Sequence, residues 1–218
     1  MTAIASTAAD ANLDTRERLL HTALRLYASE GLHAVSLRRI SAEAGSRNSA
    51  AMHYHFNNKL GVIEALMTMI SCEIERIALT LRQEQTPPCT LRSACRDILR
   101  PLVVLRRETE WGNDALRFVS RLVSETDADI AMMMNAIHAP FWHYLDAELT
   151  RALPALPAPV RRLRLMFIAT NVVHGMAEVS WLTRSPFGDL SHFDENSLLD
   201  HLVDYLIGGL EAASVSAR

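Results

Sequence analysis

Val35-Ser36-Leu37-Arg38-Arg39-Ile40-Ser41-Ala42-Glu43-Ala44-Gly45-Ser46-Arg47-Asn48-Ser49-Ala50-Ala51-Met52-His53-Tyr54-His55-Phe56 is the stretch on which the fold turns. Its apolar residues form two short helical runs. Leu37, Ile40 and Ala44 make the first, and Met52 and Phe56, four apart, make the second. Ser36 stands where an N-cap belongs, because its hydroxyl can accept an early backbone N–H. Gly45 ends the first run, and Asn48 or Ser49 can cap the second. Two short helices joined by a tight glycine turn are the helix-turn-helix plan. There, the first helix and the turn fix the angle of the second, whose N-terminal side chains meet base edges in the major groove. The plan is expected at about residues 36–56.

The chemistry at the second helix start suits that role. Arg47 can reach guanine or phosphate, and Asn48 can pair with adenine. Ser49 and Ala50 are small enough to let the backbone approach DNA. Unpaired N–H groups at helix starts also bind phosphate.

Upstream, Leu20, Ala23, Leu24 and Tyr27 share one face of a first helix. Asp14 with Glu17 reads as its capping pair and Gly31 as its end. The residues before Asp14 are small and polar, lack a signal-peptide pattern, and are expected to form a disordered tail over 1–13. Downstream, Asn57-Asn58 breaks the chain and caps a long fourth helix from Lys59. Its stripe runs Leu60, Ile63, Met67, Ile70, Ile74, Ile77, Leu81. Pro87-Pro88 ends it. Thr90 caps a fifth helix that Pro101 should kink. Trp111 to Ser124 reads as a sixth, and Asp127 opens a seventh over Ala128 to Leu153 with a bend at Pro140. Val160 to Thr183 and Asn196 to Ala212 are the last two. Strand alternation is weak, and only 8 of 218 residues are glycine. The fold class is therefore all-α, with about nine helices. A helix-turn-helix head over 14–60 joins a helical body over 61–213 through the fourth helix.

Net charge is −3, which argues against binding nucleic acid over the whole surface. The first sixty residues nonetheless carry seven basic side chains against five acidic ones, so a polyanion should meet that quarter. No run of eighteen apolar residues offers a membrane span. Three cysteines, Cys72, Cys89 and Cys95, lack C-x-x-C spacing, and the simplest home is a reducing cytoplasm. Nine histidines invite a metal reading, but there is no H-E-x-x-H and no G-x-S-x-G. His53 and His55 lie two apart, off a common helix face. Neither a metal nor a cofactor is expected, and the chain does not read as an enzyme. A helical adaptor that binds only protein is the rival reading.

From Thr15 to Met67 the chain resembles the TetR family of bacterial repressors. The resemblance is carried by Gly31, the run Val35 to Gly45, Tyr54-His55-Phe56, and Asn58-Lys59 before an apolar helix. It implies that Tyr54, His55 and Lys59 touch phosphates and that Phe56 is head core. Lys59 is the only lysine in the chain. Two departures are visible: His53 stands where the family often has Tyr, and the run from Gly45 to Phe56 is one residue longer than the commonest pattern. Which of Arg47, Asn48, Ser49 and Ala50 reach bases stays open. The expected DNA-facing set is Ser36, Arg38, Arg47, Asn48, Ser49, Ala50, His53, Tyr54, His55 and Lys59.

The resemblance further implies a ligand pocket and a dimer interface in the body. The last two helices have the apolar width for a four-helix interface, although ordinary intrachain core would need the same residues. Pocket candidates combine apolar bulk with a few polar groups. They are Trp111, Phe118, Met133, Ile137, Phe141, Trp142, Asn171, His174, Glu178 and Trp181. Asn171, His174 and Glu178 make one polar line on helix 8, whose partners are a ligand, the dimer mate or one another. The whole reads as a homodimeric, cytoplasmic regulator, most simply a repressor. A small, mostly apolar ligand would release it from a two-fold operator in double-stranded DNA.

Overall fold

The computed structural model describes residues 2–46, 50–83, 90–178, 182 and 185–213, with side chains from Asp14 onward except Glu195. Among them the backbone forms nine helices and no strand. These are α1 (Thr2–Glu30), α2 (Leu37–Glu43), α3 (Ala50–Phe56), α4 (Lys59–Gln83), α5 (Leu91–Glu108), α6 (Gly112–Val123), α7 (Ala128–Ala152), α8 (Ala158–Ala177) and α9 (Glu195–Glu211).

Four helix starts sit on the residue chosen for them. Ser36 accepts from the Arg39 N–H at 3.2 Å. Asn58 accepts from Gly61 N–H at 2.9 Å, and Asp127 from Asp129 N–H at 2.9 Å. Thr90 and Ser93 form a reciprocal capping box, with a serine where Glu or Gln is usual. Asn57 takes φ 63°, a left-handed value that asparagine tolerates, and so turns the chain from α3 into α4.

Two boundaries differ from expectation. α1 begins at Thr2, where a tail was expected. Ala3, Ala5, Ala8, Ala9 and Ala11 are strong helix formers, which a reading based on polarity undervalues. Asp14 is consequently inside the helix, bonded to Arg18 one turn on at 3.1 Å, and caps nothing. α8 stops at Ala177, short of Thr183, because Glu178 leaves helical geometry at φ −118° and ψ 29°. Pro101 and Pro140 lie within α5 and α7, and both helices continue on either side.

The head closes around Leu24, Tyr27, Ile40, Met52 and Phe56, against Val62, Ile63 and Leu66 of α4. In the body α5 is central: α4, α6, α7 and α9 pack around it, and α8 lies on α6. Body charges are used internally. Arg161, almost fully buried, donates to Asp146 Oδ1 at 2.8 Å and clamps α8 onto α7. Bonds from Arg161 and then Arg162 hold the Asp146 carboxyl below the usual carboxylate range. Cys95 is buried and its thiol is pushed up to about 11 by burial, so it is a poor redox group. No helix of the described residues is long and apolar enough to cross a membrane.

Candidate nucleic-acid interface

Two hinges place α3. Gly45 adopts φ +69°, a conformation that side chains with a Cβ rarely take, and Ser46 N–H returns to Ser41 O at 3.0 Å. α3 then buries Met52 and Phe56 and turns Ala50, His53 and Tyr54 outward. Tyr54 is 76% exposed, the only large hydrophobic exposed among the described residues of the head. Its ring meets His55 edge-on, with centroids 5.0 Å apart. Arg47, Asn48 and Ser49 lie outside the described residues.

The head's cations divide into two sets. One set is committed to the fold. Arg39 binds Glu30 at 2.7 Å and Glu43 at 3.0 Å, while Arg25 binds Glu43 at 2.7 Å. Arg18 donates to the Ala44 carbonyl at 3.1 Å. Lys59 belongs here too. Its Nζ donates to the Leu32 carbonyl and lies 5.8 Å from the Tyr27 ring centre. It therefore ties the start of α4 to the α1–α2 turn, a role that its phosphate assignment did not foresee.

The other set faces out. Arg38 is exposed on α2 and makes no ion pair among the described residues. Arg16 is exposed on α1, with its guanidinium 5.3 Å over the Phe56 ring. Partial burial and then the charge of Arg16 lower the pKa of His55 below the usual histidine value. Arg16 is absent from the sequence-based set. It lies thirty-four residues before Ala50, and only tertiary folding sets its guanidinium over Phe56 of α3. Arg16 thus lies beside α3, and Arg38 is carried by α2, which packs on α3. His53 Nδ1 is 2.8 Å from the Asn57 carbonyl oxygen, which orients its ring.

The pocket candidates do not come together as one site. Phe118 is fully buried and stacks on Tyr27 at 6.1 Å, joining body to head. Met133, Ile137, Phe141 and Trp142 of α7, with Trp111, are half-buried against the core. The polar line of α8 splits. Asn171 is exposed, bonds back to the Phe167 carbonyl at 2.8 Å, and faces α9. His174 Nδ1 is 2.6 Å from Ser120 Oγ of α6. Glu178 lies at the end of the same helix, and Trp181 is outside the described residues. No group of three or more metal-ligating side chains occurs among the described residues.

The α8–α9 surface has a different character. Leu163, Met166, Phe167 and Tyr205 are each more than half exposed. A cleft of about 590 Å³ is lined by Phe167 and Tyr205 together with Gly208 and Gly209, with open space above both glycines.

Comparison with known proteins covers both the head and the body. Residues 19–66 match the bacterial regulatory proteins of the tetR family, and residues 96–209 match the tetracyclin repressor-like C-terminal domain. The HTH-type transcriptional regulator YxaF of Bacillus subtilis is 31% identical over 75 residues, which are 34% of this chain and 39% of that relative. In three dimensions the chain resembles the fatty acid degradation regulator FadR of Bacillus halodurans. The TM-score is 0.66 at 15% identity, over 91% of this chain and 97% of the other. FadR of Bacillus subtilis, solved with stearoyl-CoA, gives a TM-score of 0.63 at 14% identity, over 88% and 98%.

Proposed function

Because the chain belongs to the TetR family of bacterial regulatory proteins, we propose that it is a cytoplasmic repressor that grips a two-fold operator as a homodimer and releases it on binding a small, mostly apolar ligand. The observation that carries the DNA half is the partition of head charges. Arg16, over Phe56 of α3, and Arg38, on the adjoining α2, are exposed and make no ion pair among the described residues, while the other described arginines of the head are bonded within the protein. Unpaired guanidiniums around an outward helix are what a phosphate backbone needs, and side chains at the helix start then read bases. In this reading residues 14–60 are the DNA-binding unit and 61–213 the ligand-binding and dimerisation unit, joined by α4. Ser36 caps the first helix of the motif, and Arg47 to Ala50 and His53 face the groove. Tyr54 and His55 meet phosphate, and Lys59 reaches it only by giving up Leu32.

Dimerisation is assigned to α8 and α9. Four large apolar side chains on neighbouring helices are costly to leave in water, and a second copy would bury them. Two heads must then stand about 34 Å apart, one turn of DNA. The ligand site is assigned to the half-buried wall of Trp111, Met133, Ile137, Phe141 and Trp142. An apolar ligand there would differ in affinity between two helix arrangements, and only such a difference can shift the equilibrium. The acyl-CoA held by the Bacillus subtilis FadR is the kind of molecule to try first.

A gel shift at graded salt tests the DNA half. Binding whose log K falls steeply with log salt, by about 0.9 per phosphate contacted, supports it. Binding to protein partners but to no DNA would favour the adaptor reading.

A further inference from the structure

A groove of about 600 Å³ opens where head meets body, between the α1–α2 turn and the ends of α6 and α8. It is separate from the apolar wall of α7. Arg117, Ser120, Arg121 and Ser124 line it from α6, spaced i, i+3, i+4 and i+7 so that they share one stripe. His33 enters from the turn and His174 from α8.

Most of these groups already have work. His33 Nε2 is 3.0 Å from Glu125 Oε2, Ser120 meets His174, and the Glu30 carboxylate belongs to Arg39. Arg121 donates to the Ala28 carbonyl at 2.9 Å and the Ser29 carbonyl at 3.2 Å. These are last-turn carbonyls of α1, at the negative end of its dipole. Gly31 has φ +89°, and a Cβ there would lie 3.4 Å from Arg121 Nη1. Arg121 of the body is thus a clasp on the end of the head's first helix. Arg117 is different. Its side chain is exposed and makes no hydrogen bond or ion pair among the described residues. Its charge reaches Asp114, though burial still raises the pKa of that carboxyl.

We propose that this groove is an effector site for a short dicarboxylate. One carboxylate takes the fork of Arg117, a geometry that guanidinium offers and ammonium does not. The second reaches Arg121 one turn along the same stripe. There it competes with two neutral carbonyls, and a carboxylate adds ion-pair attraction and bidentate geometry to a hydrogen bond that the carbonyls accept singly. The occupant therefore opens the clasp and frees the head to rotate on α6. Ser124 supplies a hydroxyl beside the ligand. Glu178 closes the α8 side with like charge, which disfavours bulkier polyanions. The effect on operator affinity rests on the DNA-binding reading above; the binding itself does not.

Calorimetry on the full chain, without DNA, tests the site with succinate and glutarate, with acetate as the single-carboxylate control and citrate as the bulkier polyanion that should bind less tightly. At least one dicarboxylate should bind more tightly than acetate, and Arg117→Ala should weaken it by about tenfold or more, the loss of one charge-assisted fork. Circular dichroism confirms the fold of that variant, and Arg117→Lys should recover only part of the affinity. No heat from any dicarboxylate, or heat unchanged by both substitutions, overturns the site. The same ligand, at constant ionic strength, should then lower operator affinity of the wild type and not of Arg117→Ala. Binding without that loss overturns the clasp. Failure of the wild type to bind any DNA overturns the repressor reading and leaves the calorimetry standing.

Discussion

The head's outer face and the α8–α9 face expose opposite things. Around α3 the apolar side chains turn inward, apart from Tyr54, and two arginines are left over. On α8–α9 the charges are turned to use, with Arg164 donating to the Leu210 carbonyl at 2.6 Å, and four large apolar groups are left over. A residue that its own fold leaves unsatisfied indicates what should satisfy it. Unpaired cations ask for a polyanion, and uncovered apolar groups ask for another apolar surface. Under the proposed function, the two faces together fit a protein that pairs with itself and binds DNA with two heads.

The largest effect should come from breaking the apolar face. Phe167→Glu is expected to give a monomer in sedimentation. Its operator affinity should fall on the order of 10²–10⁴-fold, because the second head no longer binds at high effective concentration. A monomer with unchanged operator affinity would mean that the heads act singly.

Next comes the set of cations that serve the fold. Lys59→Ala leaves the Leu32 carbonyl without its charged donor, and thermal unfolding should show a loss of about 1–3 kcal/mol. If Lys59 instead served mainly as a phosphate contact, the melting temperature would hold and the salt slope would flatten. Arg38→Ala and Arg16→Ala should behave in the opposite way to the expected Lys59 variant. Stability should stay within about 0.5 kcal/mol, as for most surface changes. The salt slope should become shallower by about 0.9 for each residue that touches a phosphate.

The smallest effect is in pH. Burial and Arg16 lower the pKa of His55 in the folded chain. The unfolded state then binds more protons, so stability from this group is present above the ordinary histidine value and lost as pH falls through the folded one. A phosphate beside His55 would favour the charged form. Operator affinity should therefore rise as pH is lowered from about 8 toward the histidine range near 6.5. His55→Gln should remove that part of the rise, and an unchanged pH profile in this variant would take His55 off the phosphate.

The same contrast explains what the sequence made legible. Ser36, Gly45, Asn58, Thr90 and Asp127 act on backbone a few residues away, so their roles could be read locally. Lys59 could not be read that way, because Leu32 is distant in sequence and only packing of α4 on α1 brings it near. The α8 line failed for a related reason. Helical spacing says that Asn171 and His174 are polar neighbours, but not that α9 lies beside one and Ser120 beside the other. Nothing local in the sequence marks Arg117 and Arg121 among the chain's many arginines. Their groove exists only where α1 and α6 meet.

Selection of bound DNA from a random pool by the full chain tests the central claim most directly. A two-fold symmetric site should be enriched, with half-sites about 34 Å apart, one helical turn, or a small multiple of it. Enrichment of an asymmetric single site, or none at moderate salt, would contradict that claim.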